Sequence, residues 1–188
     1  MEIVKQQIAL NKAVSLIKKG KIVICPTDTV YGFLSDALNK KAVEKIFKIK
    51  KRQKSKSLAV FVKDIKMAKE LAEINEKQEK ILKKYWPGKF TFILKKNKNT
   101  KLYGARKDTI AIRIPKYKFL NDLLKKINRP LAQTSVNISG EPSLAKIGDI
   151  AEKFNRYKDI LIVNSGNLKK SKPSKIIDLT SRIKKTLR

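Results

Sequence analysis

The chain has 188 residues, 46 of them Lys or Arg and 16 Asp or Glu, for a formal net charge of +30. That length suits one large domain with a substantial core, and 41% hydrophobic residues exclude a disordered polycation. Histidine is absent, which excludes Ser-His-Asp chemistry and His-rich metal sites, and the single cysteine, Cys25, excludes an internal disulfide or a cysteine-cluster zinc site.

Leu10, Ala13, Val14 and Ile17 fall at i, i+3, i+4 and i+7, an amphipathic helix that Gly20 ends. Ile22 to Cys25 is a continuous apolar run, predicted as a buried strand. Pro26 to Gly32 is too polar and turn-rich to extend it. Asn39 can cap a second helix with Val43, Ile46 and Phe47 on its apolar face. Leu58 to Val62 is a second buried strand, and Asp64 caps helical patterns that continue to Trp86, where Pro87-Gly88 breaks them. Strands follow at Phe90 to Leu94 and Ile110 to Ile114, separated by a polar Lys/Asn-rich loop. A helix at Phe119 to Ile127, a strand at Leu131 to Gln133, a helix at Ile147 to Phe154 and strands at Ile160 to Val163 and Lys175 to Leu179 complete the chain. The alternation predicts a single α/β domain over residues 1–188, a twisted mixed open sheet with flanking helices. No apolar stretch reaches the roughly 18 residues of a membrane span, and no signal-peptide pattern opens the chain, so a soluble cytoplasmic protein is expected.

The charge has two readings. A surface this positive attracts nucleic acid or small polyanions. A lysine-biased composition leaves the same excess on solvated faces, and 39 of the 46 cations are lysine. Particular positions say more. Thr27-Asp28-Thr29 follows the strand ending at Cys25, where α/β sheets place ligands, although a tight turn with side-chain-to-backbone bonds uses the same residues. Lys50 lies seven residues beyond Val43 and continues the apolar face of the second helix, so its cation either snorkels or points into a cleft. With Arg52 and Lys56 it could grip phosphates, or all three could belong to a solvated face. Arg113 shares one strand face with Ala111, opposite Ile110, Ile112 and Ile114, and needs either a structural carboxylate or an anionic ligand. Leu131 to Gly140 runs from a strand into hydroxyls and amides that could read a nucleotide or close a polar turn. Ser174, before Ile176-Ile177, repeats that theme.

Together these segments resemble the YrdC/TsaC family, the threonylcarbamoyl-AMP synthases. Pro26 to Gly32 resembles the family's P-T-D/E-T-V-Y-G segment. Lys50-Lys51-Arg52 with Lys56 and Leu58 resembles its K-x-R-x-x-x-K/N-x-L signature. Trp86-Pro87-Gly88 with Phe90-Thr91, Ile112-Arg113-Ile114-Pro115, Ser135 to Gly140, and Pro173-Ser174 before Ile176-Ile177-Asp178 are similar to four further motifs in family order. Lys175 replaces the family's Thr in the last, Lys51 and Gln53 stand where many members have Gly and Pro, Phe33 replaces a usual Leu, and Phe61 replaces a histidine.

The resemblance implies a short-form enzyme, without the extra C-terminal domain of longer members. It would condense L-threonine, bicarbonate and ATP into threonylcarbamoyl-AMP and pyrophosphate, for modification of adenosine 37 in tRNAs reading ANN codons. By the same resemblance, Thr29, Arg113 and Ser174 would bind threonine. Lys50 and Arg52 would act at the triphosphate or carbamate. Arg52, Lys56, Thr109, Ser135, Asn137, Ser143 and Arg188 would contact the nucleotide. Magnesium is expected with ATP, without identifiable protein ligands. Partners implied are a downstream threonylcarbamoyl-transferase complex and a direct tRNA or double-stranded RNA contact, with no membrane. An RNA-binding protein on the same basic scaffold, without adenylate synthesis, is the alternative.

Overall fold

The computed structural model describes residues 1–169, 171–181 and 185–187. Local sequence accounts for most of the helices. In α1 (Gln6–Lys18), Ala9, Ala13, Val14 and Ile17 form the buried stripe. The helix stops at Gly20, whose φ of +72° favours glycine; a Cβ there would lie 2.7 Å from Asn39 Nδ2. In α2 (Lys40–Ile49) the Asn39 side chain accepts the Ala42 N–H, satisfying one of the orphan donors of the first turn. Asp64 does the same for Met67 at the start of α3 (Ile65–Leu71), and Asn75 with Gln78 forms a capping box on α4 (Glu76–Tyr85). The remaining helices are α5 (Lys118–Ile127) and α6 (Ile147–Phe154).

Eleven strands are described: β1 (Glu2–Lys5), β2 (Ile22–Cys25), β3 (Gly32–Asp36), β4 (Ala59–Phe61), β5 (Ala72–Glu73), β6 (Phe90–Lys96), β7 (Thr109–Arg113), β8 (Leu131–Ser135), β9 (Ile160–Asn164), β10 (Lys175–Asp178) and β11 (Lys185–Thr186). They form one sheet in the order β1-β9-β2-β3-β8-β4-β7-β6-β10-β11, with β5 paired to β6. Parallel pairs such as β2 with β9 and β4 with β7 occur beside antiparallel ones such as β3 with β8 and β6 with β7, so the sheet is mixed, as expected.

Four described strands escape the apolar-run reading: β1, β3, β5 and β11, the last a two-residue strand paired antiparallel to β10. β3 is fully buried but carries Ser35 and Asp36, and Asp36 is held by Arg129 Nη1 at 2.8 Å and by the Leu38 N–H at 2.9 Å. β1 lies at an edge, largely exposed, and β5 is a two-residue strand that divides the predicted long helix into α3 and α4.

The placement of helices creates the site. One sheet face carries Ile22, Ile24, Val60, Phe92, Ile110, Ile112, Ala132, Ile160 and Ile162, and packs in one core with residues of α2, α3, α4 and α6. The other face carries Val23, Cys25, Phe61, Leu131, Leu161 and Val163, covered by α1 and α5. Each fully buried aliphatic side chain contributes roughly 1.5–3 kcal/mol. Beyond those two helices the second face, over β4, β6, β7, β8 and β10, lines a cleft instead of a core. Among the described residues no helix is long and apolar enough to cross a membrane.

Candidate active site

The cleft has a volume of about 400 Å³. Its floor follows from strand alternation: Ala111 and Arg113 of β7, Ala59 of β4, Gln133 and Ser135 of β8, Thr91 and Ile93 of β6 and Ile176 of β10 all line it.

Thr29 enters from the turn after β2. Thr27 Oγ1 donates to the Val30 carbonyl at 2.7 Å and accepts the N–H groups of Thr29 and Val30 at 3.0 and 3.2 Å. The two threonine hydroxyls lie 2.9 Å apart. The expected side-chain-to-backbone turn is therefore present, and it also presents Thr29 to the cleft.

Asp28 in this turn holds Arg113. Arg113 Nη2 donates to Asp28 Oδ1 at 2.5 Å and Nε donates to the Gly88 carbonyl at 2.9 Å, while Nη1 lies 3.5 Å from Thr29 Oγ1. Asp28 Oδ2 in turn accepts the Lys116 N–H at 3.1 Å. The guanidinium also lies 5.7 Å from the Phe61 ring centroid, within cation–π range. The sequence left a structural carboxylate or an anionic ligand as partner for Arg113. The carboxylate exists, yet Arg113 still lines the cleft, so its guanidinium is oriented by Asp28 rather than removed from the site.

Arg52 follows α2 in a loop it closes on itself: Nε donates to the Lys56 carbonyl and Nη2 to the Ser57 carbonyl, both at 2.8 Å. Burial pushes this guanidinium below its ordinary pKa. The preceding Lys51 has a φ of +49°, a left-handed conformation disfavoured for a side chain with a Cβ.

Lys50 neither snorkels nor points into the cleft. It is 1% exposed, and Nζ donates to the Ser135 carbonyl (2.6 Å), the Asn137 carbonyl (3.0 Å) and Asn137 Oδ1 (2.7 Å). Its own carbonyl accepts the Ser139 N–H at 2.8 Å. Burial, followed by the neighbouring Arg52 charge, pushes the ammonium down to about 7, although three acceptors match its three protons. Asn137 completes the network: Oδ1 also accepts from Ser135 Oγ at 2.8 Å, and Nδ2 donates to the Ile138 and Glu141 carbonyls. Lys50 and Asn137 thus shape the loop after β8 from beneath.

Of the residues selected from sequence, Thr29, Arg52, Lys56, Arg113, Ser135, Ser143 and Ser174 line this one cleft. Ser174 Oγ lies 2.9 Å from Thr91 Oγ1, joining the approach to β10 with β6. Lys50 and Asn137 stand behind the lining. Thr109 begins β7, opposite Lys95 of β6, and is not among the lining residues. Arg188 lies outside the described residues. Arg106 escaped sequence reasoning, and Thr91, Gln133 and Thr134, although inside motifs noted there, were given no role of their own; all four also line the cleft. Gln133 was accessible through its two-residue spacing from Ser135; Arg106, in an irregular loop, carries no periodic signal.

Among the described residues the lining carries four cations, Arg52, Lys56, Arg106 and Arg113, and no carboxylate. Among the described residues no group of three or more His, Cys, Asp or Glu could hold a metal ion, so no residue is assigned to magnesium. A cationic, hydroxyl-rich cleft on a half-covered mixed sheet defines an α/β domain built to bind anionic ligands.

Residues 15–188 match the Sua5/YciO/YrdC family model, described as telomere recombination, and the chain belongs to that family. A Methanocaldococcus jannaschii protein, provisionally named a threonylcarbamoyl-AMP synthase, is 40% identical over 173 residues, 90% of this chain and 81% of that protein. The threonylcarbamoyl-AMP synthase of Pyrococcus abyssi is 36% identical over 171 residues, 89% of this chain but only 50% of that protein. A solved structure of P. abyssi Sua5 with L-threonine superposes with a TM-score of 0.88 at 32% identity, covering all of this chain and 56% of that one. The chain therefore spans about half the length of the P. abyssi relatives.

Proposed function

We propose that this chain is a threonylcarbamoyl-AMP synthase. The threonine amine and bicarbonate form a carbamate with loss of water. A carbamate oxygen then attacks the α-phosphorus of ATP, the bond to the β-phosphate oxygen breaks, and pyrophosphate leaves. No protein nucleophile is needed; the chain must hold the reactants in line and neutralise charge on the phosphates. The observation that carries the reading is the gathering of Arg52, Lys56 and Arg113 with Thr29, Ser135, Ser143 and Ser174 in a cleft that no carboxylate lines among the described residues. The names of the M. jannaschii and P. abyssi relatives and the threonine complex of P. abyssi Sua5 support it.

Arg113, oriented by Asp28, binds the threonine carboxylate, with Thr29 and Ser174 beside it. Arg52 and Lys56 face the phosphates, and Ser135 and Ser143 the nucleotide. Lys50 and Asn137 act as positioning residues. Magnesium enters with ATP on phosphate oxygens and water. The reaction belongs in the cytoplasm, ahead of a transferase complex acting on tRNA, and the net charge of +30 favours a tRNA contact. Purified protein should release pyrophosphate only when ATP, threonine and bicarbonate are all present. Pyrophosphate release that is independent of threonine would refute the assignment.

A further inference from the structure

We propose that Arg106 is a further anion-binding residue of the cleft, holding the nucleotide polyphosphate from the connection between β6 and β7. The proposal rests on the ATP-dependent reading above.

The four lining cations are not equivalent. Arg113 is paired with Asp28 and bound to the Gly88 carbonyl, and Arg52 spends two of its donor groups on the Lys56 and Ser57 carbonyls. The side chains of Lys56 and Arg106 make no hydrogen bond or ion pair among the described residues, and no carboxylate lines the cleft to attract them. A planar five-donor guanidinium beside such a cleft is suited to phosphate oxygens, which accept two parallel bonds from it.

The position of Arg106 is also constrained. Leu102 and Ala105 pack against the main core, the Gly104 carbonyl accepts the Leu58 N–H at 2.7 Å, and the Ala37 carbonyl accepts the Tyr103 N–H at 3.0 Å. Gly104 has a φ of +81°, and a Cβ there would meet Val43 Cγ1 at 3.0 Å. On the other side, the Asp108 carbonyl accepts the Lys96 N–H at 2.9 Å. The backbone is thus anchored two residues before and two residues after Arg106. Its neighbour Lys107, exposed as Arg106 is, does not line the cleft, which makes it a control of equal charge.

The test is titration of wild type, Arg106→Ala, Arg106→Lys and Lys107→Ala with inorganic triphosphate and with a non-hydrolysable ATP analogue, alongside threonine-dependent pyrophosphate release. Arg106→Ala should weaken both ligands and raise the KM for ATP about tenfold or more, as loss of a charge-assisted contact does, with threonine affinity unchanged. Arg106→Lys should recover part of the loss, and Lys107→Ala should stay within about twofold of wild type, since it removes only general charge. Equal effects of Arg106→Ala and Lys107→Ala overturn the proposal, as does a wild type that binds neither ligand. Arg106-dependent triphosphate binding without threonine-dependent turnover would support the inference and refute the synthase reading.

Discussion

Lys50 Nζ and Asn137 Oδ1, 87 residues apart in sequence, meet at 2.7 Å in the interior. The pair ties the end of α2 to the loop that carries Ser139 and Ser143 past the cleft, so the basic motif and the hydroxyl-rich motif form one unit. Lys50→Met should leave the Ser135 and Asn137 oxygens without their donor, destabilise the protein by about 2 kcal/mol and raise the KM for ATP. Denaturant unfolding and steady-state kinetics on the same preparation check both effects. Unchanged stability would mean that the network contributes nothing to the fold.

The same lysine makes stability depend on pH. Its folded pKa of about 7 lies below the ordinary lysine value of 10.5. Between these values the unfolded chain holds one more proton than the folded one, so raising the pH favours folding. The destabilisation is fully present below pH 7 and disappears by about pH 10.5. Wild type should gain stability relative to Lys50→Met across that interval. Parallel pH profiles would show that the ammonium keeps its ordinary pKa.

Asp28 should matter to both fold and substrate. Asp28→Ala leaves a guanidinium that is 2% exposed without its carboxylate, a loss of about 3 kcal/mol for a buried pair. Asp28→Asn keeps the shape and should lose less. Both variants should raise the KM for threonine more than that for ATP, because Arg113 loses its orientation. An unaltered threonine KM in stable protein would separate Asp28 from the site.

Arg52→Ala should reduce turnover by about a hundredfold or more, on the scale of losing one stabilising donor at a reacting phosphate. Its effect on thermal unfolding should be small, because the bonds lost go to carbonyls of its own loop. A large drop in unfolding temperature would instead make Arg52 structural.

Lys51, between Lys50 and Arg52, offers a stability test on the backbone of the basic motif itself. Its φ of +49° disfavours any residue with a Cβ, so Lys51→Gly should stabilise by a few tenths to about 1 kcal/mol, part of the gain being offset by glycine's greater freedom when unfolded. Lys51→Val should destabilise, since β-branching suits this region least. Equilibrium denaturation of both variants checks the sign.

The sequence by itself determined the elements whose signals are local. The buried stripe of α1, the Asn39 and Asp64 caps, the alternation that puts Arg113 and Ala111 on one face of β7, and the apolar strands β2, β4 and β9 all depend on near neighbours along the chain. Resemblance then selected seven residues that line one cleft. β3 was hidden because Ser35 and Asp36 break its apolar pattern, and the Asp36 partner, Arg129, lies 93 residues away. Tertiary structure alone decided which candidates reach the cleft. The covering of half a sheet face by α1 and α5, the seating of Lys50 on carbonyls 85 and 87 residues distant, and the capture of Arg113 by Asp28 are long-range events. No periodicity encodes them, because a side chain's charge and spacing state what it needs and only the packed chain supplies the partner.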